Sequence, residues 1–171
     1  MTLQNWIDAL SESRSGWDRD HAIQLLGSLL GHPQALVMPG EGTVCWRAAA
    51  WALRLMGRPR LDPALPGMFR WLRELNAPGT DIVRRTLLET LPPGNLVQEI
   101  ERAAGLAQEE GDSQWLYALG RLSIEAGLTK ADFFLPARFE AMQAAPPPTA
   151  ATAPNAVKGT CKQKGENMCE P

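Results

Sequence analysis

The stretch RWLRELNAPGTDIVRRTLLETL, residues 70–91, decides how this chain folds. Apolar residues recur at helical spacing on both sides of Asn76-Ala77-Pro78-Gly79. Trp71, Leu72 and Leu75 lie before it; Ile82, Val83, Leu87, Leu88 and Leu91 follow it. Pro78 biases its predecessor away from helix, and Asn76 suits the left-handed position that ends one. Thr80 or Asp81 then begins a second helix. The tetrapeptide therefore reads as a corner between two packed helices, not as a site.

The same rhythm runs outward in both directions. Helices are expected over about 3–13, 17–30 and 43–56, and the second carries Ala22, Leu25, Leu26, Leu29 and Leu30 on one face. A helix from about 65 to 75 precedes the corner, and one over 80–91 follows it. Pro92-Pro93-Gly94 is a hard break, after which Asn95 is expected to cap a helix with Gln98 as its capping-box partner. Gly111-Asp112 reads as a stop followed by a cap, opening a helix with Trp115, Leu116, Leu119 and Leu122. Thr129 is expected to cap a last helix through Phe133, Phe134 and Phe139, disturbed by Pro136. No alternating apolar run suggests a strand. Each helix has one wide apolar stripe, which stacking in antiparallel pairs would bury. The expected architecture is all-α over residues 1–143: stacked antiparallel helix pairs (17–30 with 43–56, 65–75 with 80–91, 95–107 with 112–126), with a compact orthogonal bundle as the alternative because the pairs start unevenly, near 17, 62 and 95. A disordered Pro/Ala/Thr-rich tail is expected over 144–171.

The segments DRDHAIQLLGSL and TVCWRAAAWALRLMG resemble a HEAT-type helical pair, in which a basic residue and small residues punctuate the second helix, here Arg47-Ala48-Ala49. The stretch MFRWLRELNAPGTDIVRRTLLETL is similar to an uncharacterised family of small bacterial helical domains with a W-L-x-D-x-N-W-P pattern. Trp71, Leu72, Asn76 and Pro78 match it, while Glu74 and Ala77 stand where that family has Asp and Trp. These resemblances span roughly residues 17–126. They imply a HEAT-like α-α superhelix used as a protein-binding scaffold, in some cases as the immunity partner of a toxin. They bring no catalytic residues with them.

Composition narrows the function further. The 171 residues carry a net charge of −2, which gives no global attraction to nucleic acid or anionic lipid. The N-terminus lacks a basic, then apolar, signal pattern, and no apolar run approaches the roughly 20 residues of a membrane span. A cytoplasmic location and no membrane contact are expected. Ala, Leu, Gly, Pro and Arg dominate the body, the bias of a high-GC bacterial genome. The histidines His21 and His32 and the cysteines Cys45, Cys161 and Cys169 fall at no metal-ligand spacing. Pro39-Gly40-Glu41-Gly42-Thr43 lacks the strand before it and the lysine after it that phosphate cradling needs. No catalytic residue, metal or cofactor is expected, and the protein reads as a non-enzyme.

Charge is segregated along the chain. Residues 43–90 hold eight arginines and four acids, whereas residues 91–140 hold eight acids and four bases. Arg47, Arg54 and Arg58, spaced by seven and four, are expected on one helix face, and Arg70, Arg73, Arg84 and Arg85 extend that ridge. The bland reading is a solvated face paired with acids of neighbouring helices. The sharper reading is a protein-binding face made of Arg47, Arg54, Arg58, Arg70, Arg73 and Trp46 with the acidic Glu109, Glu110 and Asp112. Its partner is then another protein, such as a toxin or effector. Nucleic acid bound along the arginine ridge is the alternative and ranks second, because the basic excess is small.

Overall fold

A computed structural model describes residues 33–37 and 46–148. The helices expected over 3–13 and 17–30 lie outside the described residues. So do Trp6, Trp17, His21, His32, the 39–43 loop, Cys45, Cys161, Cys169 and residues 149–171 of the expected tail. The described part is all-helical and contains no strand. Its α-helices are α1 (Trp46–Met56), α2 (Leu65–Trp71), α3 (Thr80–Thr90), α4 (Pro93–Glu109), α5 (Ser113–Glu125) and α6 (Pro136–Ala144). Three 3-10 turns, Pro33–Leu36, Asp62–Ala64 and Lys130–Asp132, join the set. No helix among the described residues is long and apolar enough to cross a membrane.

The boundaries follow from local chemistry. Gly57, Gly111 and Gly127 carry positive φ where α1, α4 and α5 end. The Asp112 carboxylate accepts the Trp115 N–H at 2.9 Å, as a cap should. Three local expectations change. α4 begins at Pro93 with Pro92 as its N-cap and no side-chain cap, so Asn95 sits inside the first turn. The fixed φ of Pro93 already suits a helix and its missing N–H is one donor fewer to satisfy, so α4 starts two residues before Asn95. Thr129 does form a capping box, but with Asp132 over a single 3-10 turn. The chain breaks at Phe133–Leu135, and Pro136 opens α6 instead of interrupting it. α6 reaches Ala144, the first residue of the expected tail, and the backbone is extended at Ala145.

The corner is a corner, built differently from its expectation. α2 stops at Trp71, and residues 72–79 turn by way of Ala77 N–H to Glu74 O and Thr80 N–H to Ala77 O. The Thr80 hydroxyl also donates to Glu74 O at 2.8 Å. The left-handed residue is Gly79, at φ 90, and it serves as the N-cap of α3. A Cβ built on Gly79 would come within 2.8 Å of Ala50 Cβ and 3.0 Å of the Trp46 carbonyl oxygen. Only glycine satisfies both the conformation and this contact with α1.

Packing runs through one apolar core holding Trp71, Phe69, Met68, Leu87, Ile100, Trp115, Leu119 and Leu122. α4 and α5, joined by residues 110–112, make the most extensive helix–helix contact. α3 packs chiefly on α1, and more lightly on α2, the partner expected from sequence order; α2 packs on α4. With only seven residues, α2 is too short to cover the α3 stripe. α6 lies across α5, where a Cβ on Gly120 would meet the Met142 carbonyl oxygen at 2.8 Å. The buried hydroxyls of Thr86 and Ser123 donate to Ile82 O and Leu119 O within their own helices.

Candidate functional site

The segregated charges meet each other. Arg70 pairs with Glu110 at 3.1 Å, and Arg73 reaches Glu110 at 3.7 Å and Asp112 at 2.7 Å. Gln114 Nε2 donates to Arg73 O at 2.7 Å, and Trp115 Nε1 donates to Phe69 O at 2.8 Å. The Arg70 guanidinium lies 5.9 Å from the Trp115 ring centroid. Together these contacts form a seam that fastens the end of α2 to the α4–α5 junction. The seam also explains why Glu110 tolerates the negative end of the α4 dipole: two guanidinium groups neutralise it.

The remaining arginines of the expected face are dispersed. Arg54 pairs with Glu89 at 2.9 Å, linking α1 to α3, and lies 5.5 Å from the Trp51 ring centroid. Arg58 is beyond the end of α1, so it does not share a helix face with Arg47 and Arg54. It pairs with Asp62 at 2.6 Å, and that hydrogen bond holds its guanidinium above its ordinary pKa. Arg47 is half-buried and engaged in contacts of its own. Trp46 packs edge-on against Trp71 with ring centroids 5.2 Å apart. Glu109 is exposed and lines a different feature, a groove between α4 and α6. The structure therefore brings Arg70, Arg73, Glu110 and Asp112 together and leaves Arg47, Arg54, Arg58 and Glu109 elsewhere.

The α4–α6 groove was not anticipated. It is an open depression of about 390 Å³ lined by Gln98, Glu101, Arg102, Gly105, Leu106, Glu109 and Arg138. Glu101 is only 6% exposed. Its carboxylate accepts the Leu135 N–H at 2.7 Å, while Arg138 donates to the Glu101 carbonyl at 3.0 Å. Phe133 turns inward against Phe139, with ring centroids 5.2 Å apart. These ties fix the backbone of 133–135 on both flanks and leave the next two side chains outside: Phe134 is 76% exposed and Leu135 49% exposed. Leu106, on the groove wall, is 44% exposed.

A sequence signal for this arrangement exists. Adjacent residues on a helix point about 100° apart, so Phe133, Phe134 and Leu135 cannot all face one core. Pro136 at the first helical position marks them as the connection before α6. Charge, which marks the arginines and acids of the expected face, says nothing about where the counter-charge lies.

The described residues contain no group of three His, Cys, Asp or Glu side chains placed to hold a metal ion. Among the described residues Asp132 is the acid with a shifted titration: the Thr129 N–H and hydroxyl both donate to it and hold it below the usual carboxylate range. That shift belongs to a capping box, not to a reaction centre. Compared with known protein families, curated proteins and solved structures, the chain matches none.

Proposed function

We propose that this chain is a non-enzymatic, HEAT-like helical module that binds another protein, with immunity or adaptor duty as the specific form. The observation that carries the reading is Phe134, 76% exposed beside the exposed Leu135 on a backbone fixed by Glu101. Exposed aromatic side chains are costly to leave in water and are enriched at binding hot spots. Holding such a residue on a rigid support lowers the ordering cost of association. The ion pairs made by Arg54, Arg58, Arg70 and Arg73 leave the nucleic-acid alternative with less support, since each would have to be exchanged for a phosphate.

The test is affinity capture with the full chain and its Phe134→Ser variant. At 76% exposure the substitution should change stability by less than about 0.5 kcal/mol, so folding is preserved. The wild type should retain a stoichiometric protein partner that Phe134→Ser loses. Recovery of no stoichiometric partner by the wild type, or equal retention by the variant, overturns the proposal. A toxin as that partner identifies the immunity form.

A further inference from the structure

We infer that the cleft between α3 and α5 receives an acidic side chain from a partner polypeptide; the inference rests on the protein-binding reading and adds a second, chemically distinct contact. The cleft holds about 180 Å³ beside the 72–79 corner, below the roughly 300–1,000 Å³ of small-molecule sites. That space suits one side chain and is too small for a nucleotide. Its apolar lining is Leu72, Leu75 and Ala118, and its polar lining includes Arg84, Tyr117 and Arg121.

The state of these polar groups points to an anion. Arg121 is exposed and has no hydrogen bond or ion pair to any described residue. Arg84 pairs with Glu125 at 3.2 Å, but the two side chains are 42% and 46% exposed. An ion pair so open to water contributes about 0–1 kcal/mol, so an incoming carboxylate can share or replace it cheaply. Asp81 in the lining and Glu125 on Arg84 equal the two arginines in number, but neither is paired with Arg121, which keeps no counter-charge in contact. A single carboxylate can pair with Arg121 against less like-charge repulsion from Asp81 and Glu125 than a dianionic phosphate would meet. Tyr117, Arg121 and Ile124 stand at i, i+4 and i+7 on α5, so they share one face, and Ile124 is 55% exposed. An apolar residue next to the ligand's acid therefore has a surface to cover. Arg54, Arg70 and Arg73 are held in ion pairs, so a nucleic-acid backbone running on from the cleft would have to exchange each of these for a phosphate.

The experiment titrates the isotope-labelled full chain with a capped heptapeptide GLEFEIG, its copy with both Glu replaced by Gln, and inorganic phosphate, followed by NMR. The acidic peptide should shift the Arg84 and Arg121 side-chain Nε–H signals and the Tyr117 amide, with a dissociation constant near or below about 1 mM. The Gln copy and phosphate should each bind at least tenfold more weakly. Arg121→Glu should abolish the shifts. Arg85→Glu, the same charge change on an exposed α3 residue outside the cleft lining, should retain them. No perturbation at about 5 mM peptide, equal binding of the Gln copy, tighter binding of phosphate, or equal loss in Arg85→Glu overturns the inference. The two proposals fail separately. A partner captured through Phe134 with a silent cleft refutes the cleft alone; a responsive cleft with no captured partner refutes the Phe134 reading alone.

Discussion

Replacing Gly79 by alanine tests the corner on which the fold turns. Two costs act together. At φ 90 an L-residue is strained, by roughly 1–2 kcal/mol for a left-handed conformation. The new Cβ would also sit 2.8 Å from Ala50 Cβ, 3.0 Å from the Trp46 carbonyl oxygen and 3.2 Å from Arg47 Cα. Two of these three are backbone atoms and cannot rotate away, so the corner and α1 must separate, at an overpacking cost of about 1–3 kcal/mol. Alanine lowers unfolded-state entropy and returns about 0.4–1 kcal/mol. The net loss centres on roughly 3 kcal/mol, the difference between those costs and that return. Urea unfolding of the full chain reads it directly: with a slope near 2 kcal/mol/M, the midpoint should fall by about 1.5 M. Gly94→Ala is the control. Gly94 lies in the exposed first turn of α4 with nothing within 4 Å of its would-be Cβ, so alanine there should be neutral or stabilising by up to about 1 kcal/mol. Adding Ala50→Gly to Gly79→Ala should recover only part of the loss, because the Trp46 oxygen still obstructs. A Gly79→Ala midpoint within error of wild type would refute both the left-handed corner and its contact with α1.

The remaining predictions use the seam and the capping box. Phe69 is among the last four residues of α2, whose carbonyls have no intrahelical partner, and Trp115 Nε1 supplies one. Trp71 Nε1 is buried without a hydrogen-bond partner. Trp115→Phe should therefore cost about 1–3 kcal/mol more than Trp71→Phe in urea unfolding, and equal losses would dismiss the hydrogen bond as a structural tie. Asp132 is held below its ordinary pKa, first by the Thr129 N–H and then by its hydroxyl. Its contribution to stability is thus present above the unfolded carboxylate pKa and fades as pH falls through the folded value. Thr129→Ala removes only the hydroxyl, so a carboxyl-carbon NMR titration should show the Asp132 midpoint rise part of the way to normal; an unmoved midpoint would sink the assignment.

How much of this was legible in advance depends on the range of the interaction. Residues whose role is set by near neighbours read correctly: Gly111 stops a helix and Asp112 caps the next. Errors arose where two local solutions competed. Asn76 and Gly79 can both take a left-handed turn, and the choice fell to Gly79 because its backbone touches α1, a contact more than twenty residues away in sequence. Asn95 could cap a helix, but Pro93, its φ already fixed at a helical value, starts α4 two residues earlier. The exposed pair Phe134 and Leu135 was hidden because Glu101, 34 residues before Leu135, fixes the connection that presents it.

By itself the sequence determined the all-helical character of the described residues, the positions of most of their corners, and a segregation of arginine in 43–90 from acid in 91–140. Those are local properties, set by side-chain periodicity, by backbone conformational preference and by simple charge count. Only the tertiary structure decided which helix faces which. It brought Arg70 and Arg73 against Glu110 and Asp112 in one seam, set Arg54 and Arg58 on Glu89 and Asp62, and put α3 on α1. It also left Phe134 outside and gathered Arg84, Tyr117 and Arg121 at one cleft. Charge and hydropathy fix what each residue needs; the packing of distant helices fixes whether another part of the same chain meets that need or leaves it for a partner.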